Sequence, residues 1–211
     1  MSAVTTRRYE QRARAESAER TRRRIVAAVL ERLRRAPAEP VSIERIAAMA
    51  NVARSTVYAI FGSRAGLFDA VGEAVFERSG YALVVDAARH PDAREHLRSG
   101  LRAASEMFAA DRAVLRALYS MAQLDEQAVG GAIGRWEAER AAGMKRLARR
   151  LGEEGELRPG VAVEHAEHVL WVLTSFESFD LLFTGRGLAP QAAAALLIST
   201  AEGALCAEEG A

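Results

Sequence analysis

The amino-acid sequence predicts an all-α protein. Alanine and leucine dominate its 211 residues, and alternating runs of β-branched residues, which would predict strands, are rare. The five prolines fall near predicted helix boundaries, so the long periodic segments can remain helical. A hydrophobic content of 50% is sufficient for a packed core in one large domain or two small ones.

Two short helices joined by a tight turn are predicted within residues 41–68. Ser42 can cap the first helix, and Asn51 after it tolerates the left-handed backbone with which helices end. The second helix, over 54–61, turns Val57 and Phe61 inward and leaves polar side chains on its outer side. The buried face of the first helix follows the i, i+3, i+4, i+7 spacing with Ile43, Ile46, Ala47 and Ala50. This arrangement is typical of a helix-turn-helix.

The segment resembles the DNA-binding domain of the tetracycline-repressor (TetR) family of bacterial transcription regulators. The positions that match the family motif are Ser42, Ile43, Ile46, Ala47, Ala50, Val52, Thr56, Val57, Tyr58, Phe61, Ser63 and Leu67. The departures are Asn51 for glycine, Ala53 for serine, Ile60 for tyrosine or histidine, and Arg64 for lysine. The resemblance implies a three-helix, helix-turn-helix DNA-binding domain followed by a C-terminal helical domain for ligand binding and dimerisation. The missing hydroxyl at Ala53 removes an expected cap from the second helix.

The charges are divided unevenly along the chain. Residues 1–64 contain 14 arginines and 6 acidic residues, whereas residues 65–211 contain 15 basic and 22 acidic residues. A basic lobe beside an acidic one fits a protein that meets a polyanion with one end. We assign 1–17 to a basic N-terminal arm, 18–64 to the helix-turn-helix domain and 65–211 to the C-terminal domain. The arm carries Arg7, Arg8, Arg12 and Arg14 and is either a solvated tail, an extension of the first helix, or a segment lying along DNA phosphates.

The resemblance also implies which side chains contact DNA. Arg54 and Ser55, at the front of the second helix, are the candidates for reading bases, because arginine can reach guanine O6 and N7 together. Taken singly, Tyr58 could be a packing residue and Arg54 a solvated charge; their combination favours a double-stranded DNA operator, near-palindromic and bound by a dimer. The candidates for positioning contacts to phosphates are Ser42, Thr56, Tyr58, Ser63 and Arg64.

The rest of the chain predicts helices over 64–81, 93–108, 111–123, 126–151, 161–184 and 189–207. Residues 161–184 are apolar on nearly every side, which predicts burial from two directions. The resemblance implies that the last two of these helices pair with their copies in a homodimer. It also implies a pocket for a small apolar or aromatic effector, for which the candidate residues are Tyr119, Trp136, Trp171, Met107 and Phe176.

Several classes of function are disfavoured by the sequence. No nucleophile elbow, phosphate loop, catalytic carboxylate pair or zinc-binding spacing is visible, so we expect neither an enzyme nor a cofactor or metal site. His165 and His168 are three residues apart, but two ligands do not define a metal site. The single Cys206 excludes an internal disulfide, and no apolar run is long enough to span a membrane, which predicts a cytoplasmic protein. The alternative is a helical interaction module whose helix-turn-helix has decayed, as Ala53 and Ile60 would allow.

Overall fold

The computed structural model describes residues 3–37, 39–124 and 126–208, without the side chains of residues 3–11 and 126–130. Within these ranges the backbone forms eleven α-helices and one isolated antiparallel bridge, between Leu157 and Cys206, which confirms the all-α prediction. The helices are α1 (Ala3–Arg35), α2 (Ile43–Met49), α3 (Arg54–Phe61), α4 (Arg64–Arg78), α5 (Tyr81–Ala87), α6 (Ala93–Ala110), α7 (Arg112–Leu124), α8 (Glu126–Glu153), α9 (Val163–Leu173), α10 (Phe176–Phe183) and α11 (Pro190–Leu205).

The chain divides into two compact units. The first comprises residues up to 74 together with 116–133, and the second comprises 75–115 together with 134–211. Helices α4, α7 and α8 therefore each contribute residues to both units. Every helix in the described part of the chain is too short or too polar to cross a bilayer.

The core of the first unit joins α1, α2 and α3. Ile25, Val29 and Leu33 on α1 are fully buried, as are Ile46 on α2 and Val57 on α3. At roughly 2 kcal/mol for each large side chain removed from water, this face holds the short helices α2 and α3, which could not be stable alone.

Arg32 is a charged residue within this core, 4% exposed. Its guanidinium donates to the Ala36 carbonyl over 2.6 Å and to the Glu39 carboxylate over 2.8 Å. The charge is therefore paired, as a buried charge must be, and it fixes the chain between α1 and α2.

The first helix extends into the segment assigned to a basic arm, because α1 begins at Ala3. Arg12 and Arg14 are exposed on it, and Arg12 pairs with Glu16 over 3.3 Å. The side chains of Arg7 and Arg8 lie outside the described residues. The domain boundaries at residues 17 and 64 stay predictions.

In the second unit, α6 packs against α5, α10 and α11. Leu97 and Leu101 of α6, Leu147 and Leu151 of α8, and Leu170 of α9 belong to one buried cluster. The ring of Phe108 lies 5.6 Å from that of Phe176 and 5.7 Å from that of Phe179, which brings α10 onto the same core.

The prediction of one helix over 161–184 is wrong. Helix α9 ends at Leu173, and Ser175 takes an extended conformation from which its hydroxyl accepts a hydrogen bond from the Ser178 N–H, as the N-cap of α10. Thr174 donates its hydroxyl to the Leu170 carbonyl, so two polar side chains satisfy the backbone where the helix breaks. Burial from two directions is also not reached within one chain, since Val172 is 57% exposed and Leu181 is 69% exposed.

The helix predicted over 64–81 ends earlier, at Arg78. Gly80, with φ of 91°, adopts the left-handed conformation between α4 and α5. Glycine, which lacks a Cβ, adopts this conformation readily, so the chain turns here and α5 begins at Tyr81.

Candidate functional site

Helix α2 begins with a side-chain cap. Ser42 has an extended backbone, its hydroxyl oxygen accepts a hydrogen bond from the Arg45 N–H over 3.3 Å, and the hydroxyl donates to the Glu44 carboxylate over 2.9 Å. The predicted cap is thus present. Because Ser42 is exposed, its oxygen also lies at the surface near the positive end of α2.

The turn between α2 and α3 follows from Asn51. Its φ is 51°, the left-handed conformation that the sequence predicts for this position. The Val52 N–H then donates to the Ala47 carbonyl over 2.9 Å, and Arg24 of α1 donates to the Asn51 carbonyl over 3.4 Å. These contacts fix the angle at which α3 leaves α2.

Helix α3 presents a polar outer face. Val57 is 1% exposed and packs inward, whereas Arg54, Ser55 and Tyr58 are exposed and Thr56 is half-buried. Ala53 precedes the helix without a side-chain hydrogen bond, as its missing hydroxyl predicts. The structure therefore brings the four predicted DNA-contacting residues of this helix to its start and outer side.

Arg54 is held by two neighbours in the free protein. Its guanidinium lies 2.8 Å from the carboxylate of Glu44 on α2, 3.5 Å from the Tyr58 hydroxyl and 5.4 Å from the centre of the Tyr58 ring. The hydroxyl of Tyr58 and the charge of Glu44 raise the pKa of Arg54. The pKa of Glu44 is lowered by its backbone N–H, the Ser42 hydroxyl and Arg54, so the carboxylate is ionised at neutral pH.

Glu44 was not among the residues selected from the sequence. An acidic side chain on α2 gives no signal by itself, because its contact with Arg54 depends on the crossing of two helices. In the free protein, the Arg54 guanidinium at the front of α3 is paired with the Glu44 carboxylate. A DNA phosphate or base acceptor would compete with this carboxylate for the arginine.

The last two predicted phosphate contacts, Ser63 and Arg64, make contacts inside the protein. The Ser63 hydroxyl oxygen accepts a hydrogen bond from the Gly66 N–H over 3.0 Å at the start of α4. Arg64 donates to the Val41 carbonyl over 2.6 Å and lies 5.1 Å from the Phe68 ring centre. Arg64 thus ties α4 to the segment preceding α2, and its contact with phosphate stays a prediction.

Residues 25–71, which cover this arrangement from the middle of α1 to α4, match the family model described as bacterial regulatory proteins of the tetR family. This segment is therefore the N-terminal domain of the tetR family of regulatory proteins. The family and fold are those of DNA-binding transcription regulators, and no curated protein matches the chain.

Solved structures of transcriptional regulators share the fold over most of this chain. NalD, the secondary repressor of the MexAB-OprM multidrug efflux pump in Pseudomonas aeruginosa, is similar at 21% identity and a TM-score of 0.69, over 92% of this chain and 99% of its own. A TetR-like transcriptional regulator from Rhodococcus sp. RHA1 is similar at 20% identity and a TM-score of 0.63, over 86% of this chain and 93% of its own. At such identities the likeness establishes the fold alone.

The second unit contains a cavity of about 460 Å³ between α5, α6 and α8. Its walls are mostly apolar, with Val84, Leu101, Phe108 and Met144 among them. Small residues on the facing helices, such as Gly100, leave the space open. The volume lies within the range of small-molecule sites.

Only one of the predicted effector-binding residues is among those that line this cavity. Trp136 is on its wall, stacked on Phe76 at 4.2 Å between ring centres. Met107 and Phe176 are buried away from the lining, and Trp171 is 36% exposed with the Arg140 guanidinium 3.6 Å from its ring centre. Tyr119 belongs to the first unit. The titratable residues of the cavity, none of which the sequence indicated, are Tyr81, His96, Glu139, Arg140, Arg146 and Arg150.

The titratable groups of the cavity are mostly engaged with one another. Burial, together with the charges of Arg150 and Arg146, lowers the pKa of His96 to about 4, so its imidazole is neutral at pH 7. Burial and the hydrogen bond to Glu139 raise the pKa of Tyr81, whose hydroxyl donates to that carboxylate over 3.1 Å.

The described residues contain no group of three or more acidic, histidine or cysteine side chains that could hold a metal ion. His165 and His168 are both exposed on α9. Burial raises the pKa of Cys206, which disfavours its reactive thiolate.

Proposed function

We propose that this protein is a homodimeric transcriptional repressor that binds a near-palindromic operator and is released from it by a small ligand. The observation that carries the proposal is the outer face of α3, where Arg54, Ser55 and Tyr58 stand exposed on a TetR-family helix-turn-helix. Two such helices, one from each subunit, would enter successive major grooves about 34–36 Å apart.

The exposed face of α11 supports dimerisation. Five of its exposed residues follow helical spacing and are small or apolar: Ala192, Ala195, Leu196, Ser199 and Gly203. The Ser199 hydroxyl donates to the Leu196 carbonyl over 3.0 Å, so burial of this face would not strand a donor. Beside it in the sequence, α9 and α10 expose Val172 and Leu181. Apolar residues exposed on neighbouring helices are typical of subunit interfaces.

The cavity supports ligand control. A ligand that bound more tightly to the protein off DNA than on it would lower operator affinity by the ratio of the two binding constants. NalD is described as a repressor, and that description is of NalD; for this chain, repression and release are part of the proposal.

The proposal is tested by selecting bound duplexes from a random pool and measuring their affinity by fluorescence anisotropy over a salt series. We expect an inverted repeat and a steep log–log decline of affinity with salt. Arg54→Gln should reduce the preference for the selected sequence over random DNA about tenfold or more, because the bidentate base contact is lost. Tyr58→Phe should weaken both duplexes alike.

Two results would contradict the proposal. A protein that binds no duplex even at low salt would instead be the helical interaction module that the uncapped Ala53 allows. Equal effects of Arg54→Gln and Tyr58→Phe on selected and random DNA would show that α3 does not read bases.

A further inference from the structure

Two residues that line the cavity of the second unit carry hydrogen-bond donors without an acceptor among the described residues. The first is the indole Nε1–H of Trp136, which is buried and has no hydrogen-bond partner among the described residues. Trp136 is 7% exposed and lies on the cavity wall, held between the rings of Phe76 and Tyr81. This nitrogen is inaccessible to solvent, so it does not open into the cavity, and Trp136 contributes an apolar wall.

The second donor is the guanidinium of Arg146. It lines the cavity from α8 at an exposed position and makes no hydrogen bond or ion pair with any described residue. Its charge lowers the pKa of both His96 and Tyr81, which shows that the guanidinium lies close to two other cavity side chains.

The other charged groups around the cavity are satisfied by the protein. Arg140 bonds Glu137 over 2.6 Å and the Trp171 carbonyl over 2.7 Å. Arg150 bonds Glu154 over 2.9 Å and the Pro91 carbonyl over 2.6 Å. The acceptor Glu139 receives the Tyr81 hydroxyl. What remains without a partner is therefore a donor, and it favours a ligand that carries an acceptor group beside an apolar body.

We propose that this cavity binds an anionic amphiphile, a molecule with an apolar body and a carboxylate head, with Arg146 pairing the carboxylate. The inference rests on the proposed function insofar as the ligand is to act as effector. The binding itself is a property of the second unit and requires no DNA.

The test uses isothermal titration calorimetry of the full chain with three probes that share one ten-carbon chain: decanoate, decanol and decyltrimethylammonium, each below its micellar concentration. Decanoate should bind about tenfold or more tightly than the other two, as expected for one added hydrogen bond to a charged group. Arg146→Gln should remove that preference. Lys145→Gln, which makes the same charge change at the neighbouring exposed position outside the cavity, should preserve it.

One further variant probes the cavity itself. Gly100→Leu should abolish binding of all three probes by filling the space, because the nearest atom to a Cβ at Gly100 is a His96 ring carbon at an unstrained 3.8 Å. Circular dichroism of each variant checks the helical fold.

Equal affinity for decanoate and decanol, retention of the preference in Arg146→Gln, or no heat with any probe would overturn the inference. Such results leave operator binding intact, so they are distinguishable from a failure of the proposed function. Conversely, a chain that binds decanoate and ignores every duplex would refute the regulator proposal alone.

Discussion

Replacing Arg112 by methionine should destabilise the second unit strongly. Asp180 is 1% exposed, and its two carboxylate oxygens accept hydrogen bonds from Arg112 Nε over 2.6 Å and Nη2 over 3.2 Å. Thr184 donates its hydroxyl to the same carboxylate over 2.6 Å. The pair joins the first residue of α7 to α10, and methionine keeps most of the apolar stem while removing the charge.

Removal of one partner from a buried ion pair costs about 3–5 kcal/mol, because the other charge stays buried without its counter-charge. For a chain of this size, 1 kcal/mol corresponds to roughly 2–4 °C in Tm, so Arg112→Met should lower Tm by about 10 °C. Differential scanning calorimetry measures the shift. Arg102→Met is the matched control, since Arg102 is exposed on α6 and should change Tm by only about 1–2 °C.

The double variant Arg112→Met with Asp180→Asn identifies the cause of the loss. Once the acid is a neutral amide, no charge is stranded, and part of the lost stability should return. If Arg112→Met is no more destabilising than Arg102→Met, the Arg112–Asp180 pair contributes nothing measurable. If the double variant recovers nothing, lost packing is responsible and the reasoning from stranded charge is wrong.

Four other outcomes are expected. Glu44→Gln should strengthen binding to any duplex by anisotropy, because it removes a carboxylate that competes with phosphate and base acceptors for the arginine; weaker binding would show that the pair orients it instead. Ala53→Ser should raise Tm by a few degrees, because a hydroxyl would cap α3, and an unchanged Tm would exclude that cap. Leu181→Glu should convert a dimer to a monomer in light scattering, whereas a persisting dimer would place the interface elsewhere. The folded pKa of His96 lies below its ordinary 6.5, so the free energy of unfolding should fall as pH drops from about 6.5 towards 4. The loss at pH 5 should be at most about 2 kcal/mol before solvent screening. His96→Gln should flatten this pH dependence, measured by urea unfolding.

The sequence predicted those features that depend on neighbouring residues. The Ser42 cap, the left-handed Asn51 and the inward Val57 are local consequences of residue type and spacing, and all three are present. The helix break at Thr174 and Ser175 was missed because a long apolar run outweighed two hydroxyls in the pattern, although in the structure those hydroxyls satisfy the backbone.

Contacts between helices that are distant in the sequence could not be predicted from residue type and spacing. The Glu44 carboxylate meets Arg54 only because α2 and α3 cross, and the cavity gathers side chains from α5, α6 and α8. An aromatic residue in an α-helical lobe is a poor guide to a pocket, as the different positions of Trp136 and Trp171 show.

Arg140 touches two parts of the second unit at once. It lines the cavity, and its guanidinium also lies over the Trp171 ring and donates to the Thr174 hydroxyl oxygen, where α9 gives way to α10. A ligand that pulled the Arg140 side chain into the cavity would break its contacts where α9 meets α10. The Trp171 indole would then lose its stacking partner at the surface. Ligand binding in the cavity would therefore change the fluorescence emission of Trp171, on the face that exposes Val172.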